Sequence, residues 1–173
     1  MDLKINEFKE AVNGFEYLVT VDMEALKNVM DKRLIDGIEN GMAQKFEYSI
    51  ELCWKLIKNH LKKQDGIDAK SPKQSIKEFY LAGYIDEDHY LRLIDMIDDR
   101  NRLSHIYDKD EFNKILKRFP PYVKTFNRII EILEKGQIQV PGQDLKDNTI
   151  DAINEQKPAP TQTGQTGTQK SLA

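Results

Sequence analysis

Phe46-Glu47-Tyr48-Ser49-Ile50-Glu51-Leu52-Cys53-Trp54-Lys55-Leu56-Ile57-Lys58-Asn59-His60-Leu61 is the stretch that decides the fold. Phe46, Ile50, Cys53, Trp54, Ile57 and Leu61 recur at helical steps and share one broad face. Leu52 and Leu56 widen that face beyond what a surface helix needs. Glu51 and Lys55 form an i,i+4 pair on the opposite side, worth a few tenths of a kcal/mol. The pattern predicts a long central helix over about residues 34–64 with Phe46 and Trp54 in the core. There Trp54→Ala should cost roughly 3–5 kcal/mol. Gly37 and Gly41 mark an irregular entry or a close helix approach.

Outward from this helix, every other patterned stretch is also helical. Residues 3–18 carry Leu3, Phe8, Val12, Phe15 and Leu18, although Gly14 interrupts the pattern. Asp22 is placed to cap a short helix reaching about Met30. Gly66 follows the central helix, and Ser71-Pro72 has the form of an N-cap followed by proline at the first helical position. That helix should stop at Gly83, and Asp86 should cap the next one. A last segment begins at Asp108, is broken or kinked at Pro120-Pro121 and ends at Gly136. No stretch alternates like a strand. The expected fold is all-α: an up-down four-helix bundle with extra short helices. Residues 1–136 form the domain. Residues 137–173 hold no Phe, Trp or Tyr and are rich in Gln, Thr, Gly and Pro, which predicts a disordered low-complexity tail.

Composition narrows the function classes. Of the 173 residues, 32% are charged and 39% apolar, and the net charge of −3 supplies no global basic field for nucleic acid. Any contact with RNA must then come from a local patch or a cleft between subunits. The single cysteine, Cys53, excludes an intrachain disulfide and reads as a small core side chain. The chain shows neither a signal-peptide pattern nor a membrane-length apolar run, so the expected location is the cytoplasm. His60, His89 and His105 have no mutual metal spacing, and no phosphate loop, dinucleotide fingerprint or nucleophile elbow is present. Asp86-Glu87-Asp88 is a capping pattern rather than a two-metal motif. Neither a metal nor a cofactor is expected.

Asp98-Asp99-Arg100-Asn101-Arg102-Leu103-Ser104-His105-Ile106-Tyr107 carries the candidate chemistry. On a continuous helix, Asn101 and His105 prolong the stripe begun by Tyr90, Ile94 and Ile97, while Arg100, Ser104 and Tyr107 lie roughly 80–100° to one side. A core-facing side that turns polar at its end must be paired or must open onto a cleft. Arg suits phosphate, His suits acid–base work near neutral pH, Asn can orient either, and the phenol of Tyr107 is modifiable. Asp95 and Asp99 are placed to pair with Arg92, Arg100 or Arg102.

Arg100 to Tyr107 resembles the Arg-x4-His-x-Tyr signature of the HEPN superfamily, and Phe46 to Lys55 resembles the core helix of its nucleotidyltransferase substrate-binding proteins. The likeness spans roughly residues 3–135. It implies a helical bundle, a homodimer and a minimal nucleotidyltransferase as partner. The leading functional expectation is a toxin-type, metal-independent ribonuclease of a toxin–antitoxin pair. There Arg100 would hold the scissile phosphate, His105 would act as acid or base on the ribose 2′-hydroxyl or the leaving oxygen, and Asn101 would orient one of them. Ser104, Asp99 and Arg102 would support them, and the partner would silence the toxin by adenylylating Tyr107. The alternative is a non-catalytic subunit that presents a substrate to the transferase. On one helix Arg100 and His105 point about 140° apart, so the ribonuclease reading needs Arg100 to reach around, the helix end to distort, or two copies to meet; a twofold interface, which would pair Arg and His around one groove that also holds RNA, favours a dimeric site.

Overall fold

The computed structural model describes residues 2–135, and the expectation for residues 137–173 lies outside them. Among the described residues there are seven helices and no strand. They are α1 (Asp2–Val19), α2 (Met23–Lys27), α3 (Lys32–Gln64), α4 (Pro72–Leu81), α5 (Glu87–Leu103), α6 (Lys109–Leu116) and α7 (Phe119–Lys135). The four longest, α1, α3, α5 and α7, build the bundle, with α3 packing against each of the other three. No helix among the described residues is long and apolar enough to cross a membrane.

Local chemistry sets the helix ends. Asp31, Ser71, Asp86 and Asp108 cap α3, α4, α5 and α6, each accepting a first-turn backbone N–H on its side chain. Gly83, just past α4, has a φ of 80°, where a side chain would be strained. Pro120 and Pro121 fall in the first turn of α7, where the missing N–H groups leave no helical bond unmade. The expected break at the proline pair is therefore the start of a helix.

The core centres on Phe46 of α3, which is fully buried. Its ring lies 5.8 Å from Phe15, 4.9 Å from Phe119 and 5.4 Å from Tyr122, so α1, α3 and α7 meet at one aromatic cluster. Each such pair adds about 0.5–1.5 kcal/mol beyond its area. Cys53 is buried, as expected, and burial pushes its thiol far up from its ordinary value. Gly14 does not interrupt α1; a side chain there would press on Lys45 of α3. Trp54 departs from expectation. It is only half-buried, packed against the edge of the core with its indole N–H donating to Glu51 at 3.0 Å.

Candidate functional site

The buried line of α5 is not where the stripe arithmetic puts it. Leu93, Met96 and Ile97 are the buried apolar residues, whereas Tyr90 and Ile94 are half-buried and Asn101 is exposed. The inward direction is thus rotated roughly 100° from the Tyr90–Ile94–Asn101 line. The stacked Tyr80–Tyr90 pair, 5.0 Å between ring centres, lies at the seam between α4 and α5 rather than in the core. The correction places Arg100, not Asn101, beneath Ile97 and Met96 at the point where the core runs out.

Arg100 is accordingly half-buried and reaches α3. Its Nη2 lies 3.6 Å from Glu51 Oε2, and its Nη1 donates to Asn101 Oδ1 at 3.2 Å. Glu51 is already engaged. Lys55 lies at 2.8 Å and the Trp54 indole donates to it. Partial burial opposes ionisation of Glu51, but Lys55, Trp54 and Arg100 together keep its pKa below the ordinary value. The i,i+4 pair of Glu51 and Lys55 is as expected.

These residues line an open cleft of about 350 Å³. Ile50, Glu51 and Trp54 form one wall, Ile97, Arg100 and Asn101 a second, and Ser71, Pro72 and Lys73 close it at the N-terminus of α4. Lys73 pairs across the rim with Asp98 at 2.6 Å. Sequence marks Ser71-Pro72 as a cap, but nothing in it says that the cap faces α3 and α5.

His105 is not on the helix. α5 ends at Leu103 with Ser104 as C-cap, and the His105 N–H closes a tight turn onto the Arg102 carbonyl at 2.9 Å. His105 is exposed and lines a wider, shallower depression with Asn101, Arg102 and Glu111. Tyr107, 99% exposed, stands in solvent. Ser104 makes only long contacts, 3.5 Å to Glu47 and to the Arg100 carbonyl. Of the expected set, then, Arg100 and His105 open onto different depressions, with Asn101 between them. The continuous-helix geometry fails because the chain turns at Ser104.

Asp99 faces the other way and is 1% exposed. It accepts from Arg118 at 2.6 Å and from the Tyr122 hydroxyl at 2.7 Å, with Arg102 at 3.8 Å. Of the expected partners Arg92, Arg100 and Arg102, only Arg102 is near it. Burial raises the Asp99 carboxyl above its ordinary value against the pull of these partners, and burial and the carboxylate together raise the Tyr122 phenol. Asp99 thus pins the end of α5 to α7, one residue before Arg100. The far end of the 104–108 segment is held as well: Lys109 bridges Asp36 at 2.7 Å and Glu39 at 2.9 Å on α3. No group of three or more His, Cys, Asp or Glu suited to a metal occurs among the described residues.

The family model for nucleotidyltransferase substrate binding protein-like chains matches residues 3–135. The chain belongs to this family. That match spans every helix of the bundle and ends where the apolar pattern does. A solved Haemophilus influenzae protein, described as revealing the fold of a substrate binding domain of a nucleotidyltransferase, is similar with a TM-score of 0.66 at 21% identity, covering 75% of this chain and 98% of that one. A solved Thermus thermophilus protein is similar with a TM-score of 0.63 at 21% identity, covering 73% of this chain and 98% of that one. At this identity the two share the fold with the family member described here. No curated protein matches the chain.

Proposed function

We propose that this chain is the non-catalytic, substrate-binding subunit of a two-component nucleotidyltransferase, holding an acceptor for a separate transferase chain. This inverts the order of the two expectations drawn from the sequence. Family membership over residues 3–135 supports it. The observation that carries it is the separation of Arg100 and His105: one protomer offers a cation beside a walled cleft, not an acid–base pair around one phosphate. The test is co-purification with a nucleotidyltransferase encoded beside it. Nucleotide transfer should require both chains, and a transferase equally active alone would refute the reading.

A second reading keeps the toxin-type ribonuclease, and the exposure of His105 and Tyr107 favours it. It needs a homodimer that brings Arg100 and Asn101 of one copy to His105 of the other around RNA, and a transferase that adenylylates the accessible Tyr107. Metal-free RNA cleavage by the purified chain, lost in His105→Ala, would replace the first reading with this one.

A further inference from the structure

We infer that the groove where α2, α3, α6 and the start of α7 meet binds an acidic amphipathic helix of a partner protein, with its apolar side chains on the groove floor and its carboxylates at Lys32 and Lys117. The groove lies apart from the Arg100 cleft, and the inference does not rest on the transferase reading. Ile50, the first α3 residue of that cleft, is eight residues beyond Met42, about 12 Å along the helix.

Two open hollows, of about 340 Å³ and 440 Å³, share Lys27, Glu39 and Asn113 and so form one groove. It follows α3 from Lys32 to Met42, ten residues and about 15 Å. That length takes about three turns of a ligand helix, enough for apolar anchors spaced i, i+3, i+4 and i+7. The floor is apolar. Met30 and Ile35 line the first hollow, and Met23, Met42, Leu116 and Phe119 line the second. Three of the five methionines are thus in the groove, and their unbranched thioether side chains adapt to a ligand's shape. α2 carries no buried residue, so it can shift at little cost as a ligand enters. The apolar surface continues past the groove: Val29 and Leu34, sequence neighbours of Met30 and Ile35, are 80% and 57% exposed. Apolar surface gathered in this way marks an interaction site. The rim decides the charge of the partner. Lys109 holds both Asp36 at 2.7 Å and Glu39 at 2.9 Å, and Lys27 holds Glu24 at 2.8 Å. Every carboxylate that lines the groove is thereby matched. Lys32 in one hollow acts on Asp36 only through space, and Lys117 in the other has no ion pair among the described residues. Each hollow therefore sets one spare cation above an apolar floor, which carboxylates beside apolar anchors would match. A basic helix would meet both lysines with like charge, and a small apolar molecule would leave them unmatched.

The probe is a fluorescently labelled peptide of about four helical turns, with leucine at helical spacing and glutamate elsewhere. Its control is a twin with lysine in place of glutamate. By fluorescence polarisation the full chain should bind the glutamate peptide saturably and about tenfold or more tighter than the twin. The chain's net charge of −3 would by itself favour the twin, so this preference reads the groove and not the whole surface. In methyl NMR of the methionine-labelled chain, Met23, Met30 and Met42 should shift on binding, while Met96, buried on α5, should not. Lys32→Glu combined with Lys117→Glu should weaken the glutamate peptide about tenfold and strengthen the twin. Both side chains are exposed, so the variant should fold, which circular dichroism checks. Lys9→Ala, whose partner is Glu134 outside the groove, should bind like the parent chain. No saturable binding of the glutamate peptide, equal affinity for the two peptides, unchanged affinity in the folded double variant, or shifts centred on Met96 would each overturn the inference. So would groove methionine signals that move with chain concentration alone, because a second copy would then occupy the groove.

Discussion

Asp99→Ala tests whether the end of α5 is anchored through a buried carboxylate. The substitution strands the Tyr122 hydroxyl, on a residue that is 2% exposed. A buried hydroxyl without a partner costs about 1–3 kcal/mol. It also releases Arg118, whose side chain is 42% exposed and can turn to water. That half of the network is worth no more than about 1 kcal/mol after screening. The sum is about 1–4 kcal/mol, centred below the roughly 3–5 kcal/mol expected for breaking a fully buried pair. At about 3 °C per kcal/mol for a chain of this size, the melting temperature should fall by about 3–12 °C. Urea unfolding followed by circular dichroism measures the same quantity, and the denaturant slope should stay constant. Tyr122→Phe removes the stranded group, so the double variant should be less destabilised than the two single changes added together. A loss under about 1 kcal/mol in Asp99→Ala, or strict additivity with Tyr122→Phe, would refute the anchoring argument.

Three further outcomes follow from burial and charge. Phe46→Ala empties the meeting point of three helices and should cost about 3–5 kcal/mol by urea unfolding, whereas half-buried Trp54→Ala should cost only about 1–3 kcal/mol. Burial lowers the His60 pKa against the opposing pull of Asp65, and its Nε2 has no hydrogen-bond partner. The unfolded chain therefore binds the extra proton more readily, and stability should fall as pH drops from about 6.5 toward the depressed folded value. His60→Gln should flatten that part of the thermal-shift profile, and an unchanged slope would show that His60 does not cause it. Tyr107→Phe should leave the melting temperature unchanged, because the side chain is almost fully exposed; a clear shift would mean that the Tyr107 hydroxyl has a partner that folding orders.

Much of the architecture is readable from short-range signals. The caps at Asp22, Ser71, Asp86 and Asp108 act through neighbours two or three residues away, so sequence alone locates them. Phe46 is buried with Ile50, Cys53, Ile57 and Leu61 of the same periodic face, and periodicity survives without knowledge of the partner helices. The candidate site is legible only in part. Arg100 stands out in the sequence as unusual, but its direction does not, since α5 carries two adjacent apolar lines and only packing chooses Leu93–Met96–Ile97 over Tyr90–Ile94. His105 is misplaced by helical arithmetic because its helix stops at Leu103 without a glycine to announce it. The stripe assigns Trp54 wholly to the core, since a stripe cannot distinguish its centre from an edge that borders a cleft. Ser71 and Lys73 come to Arg100 through a meeting of three helices, which no local pattern encodes.

The turn from Ser104 to Asp108 runs between the buried carboxylate of Asp99 behind it and the ammonium of Lys109 ahead, with Ile106 set against the core between them. A handle mounted this way can be gripped or chemically tagged without loosening the wall it is bolted to. A group added to Tyr107 would alter bulk and charge on the outer rim, while the aromatic centre at Phe46 would stay as it is.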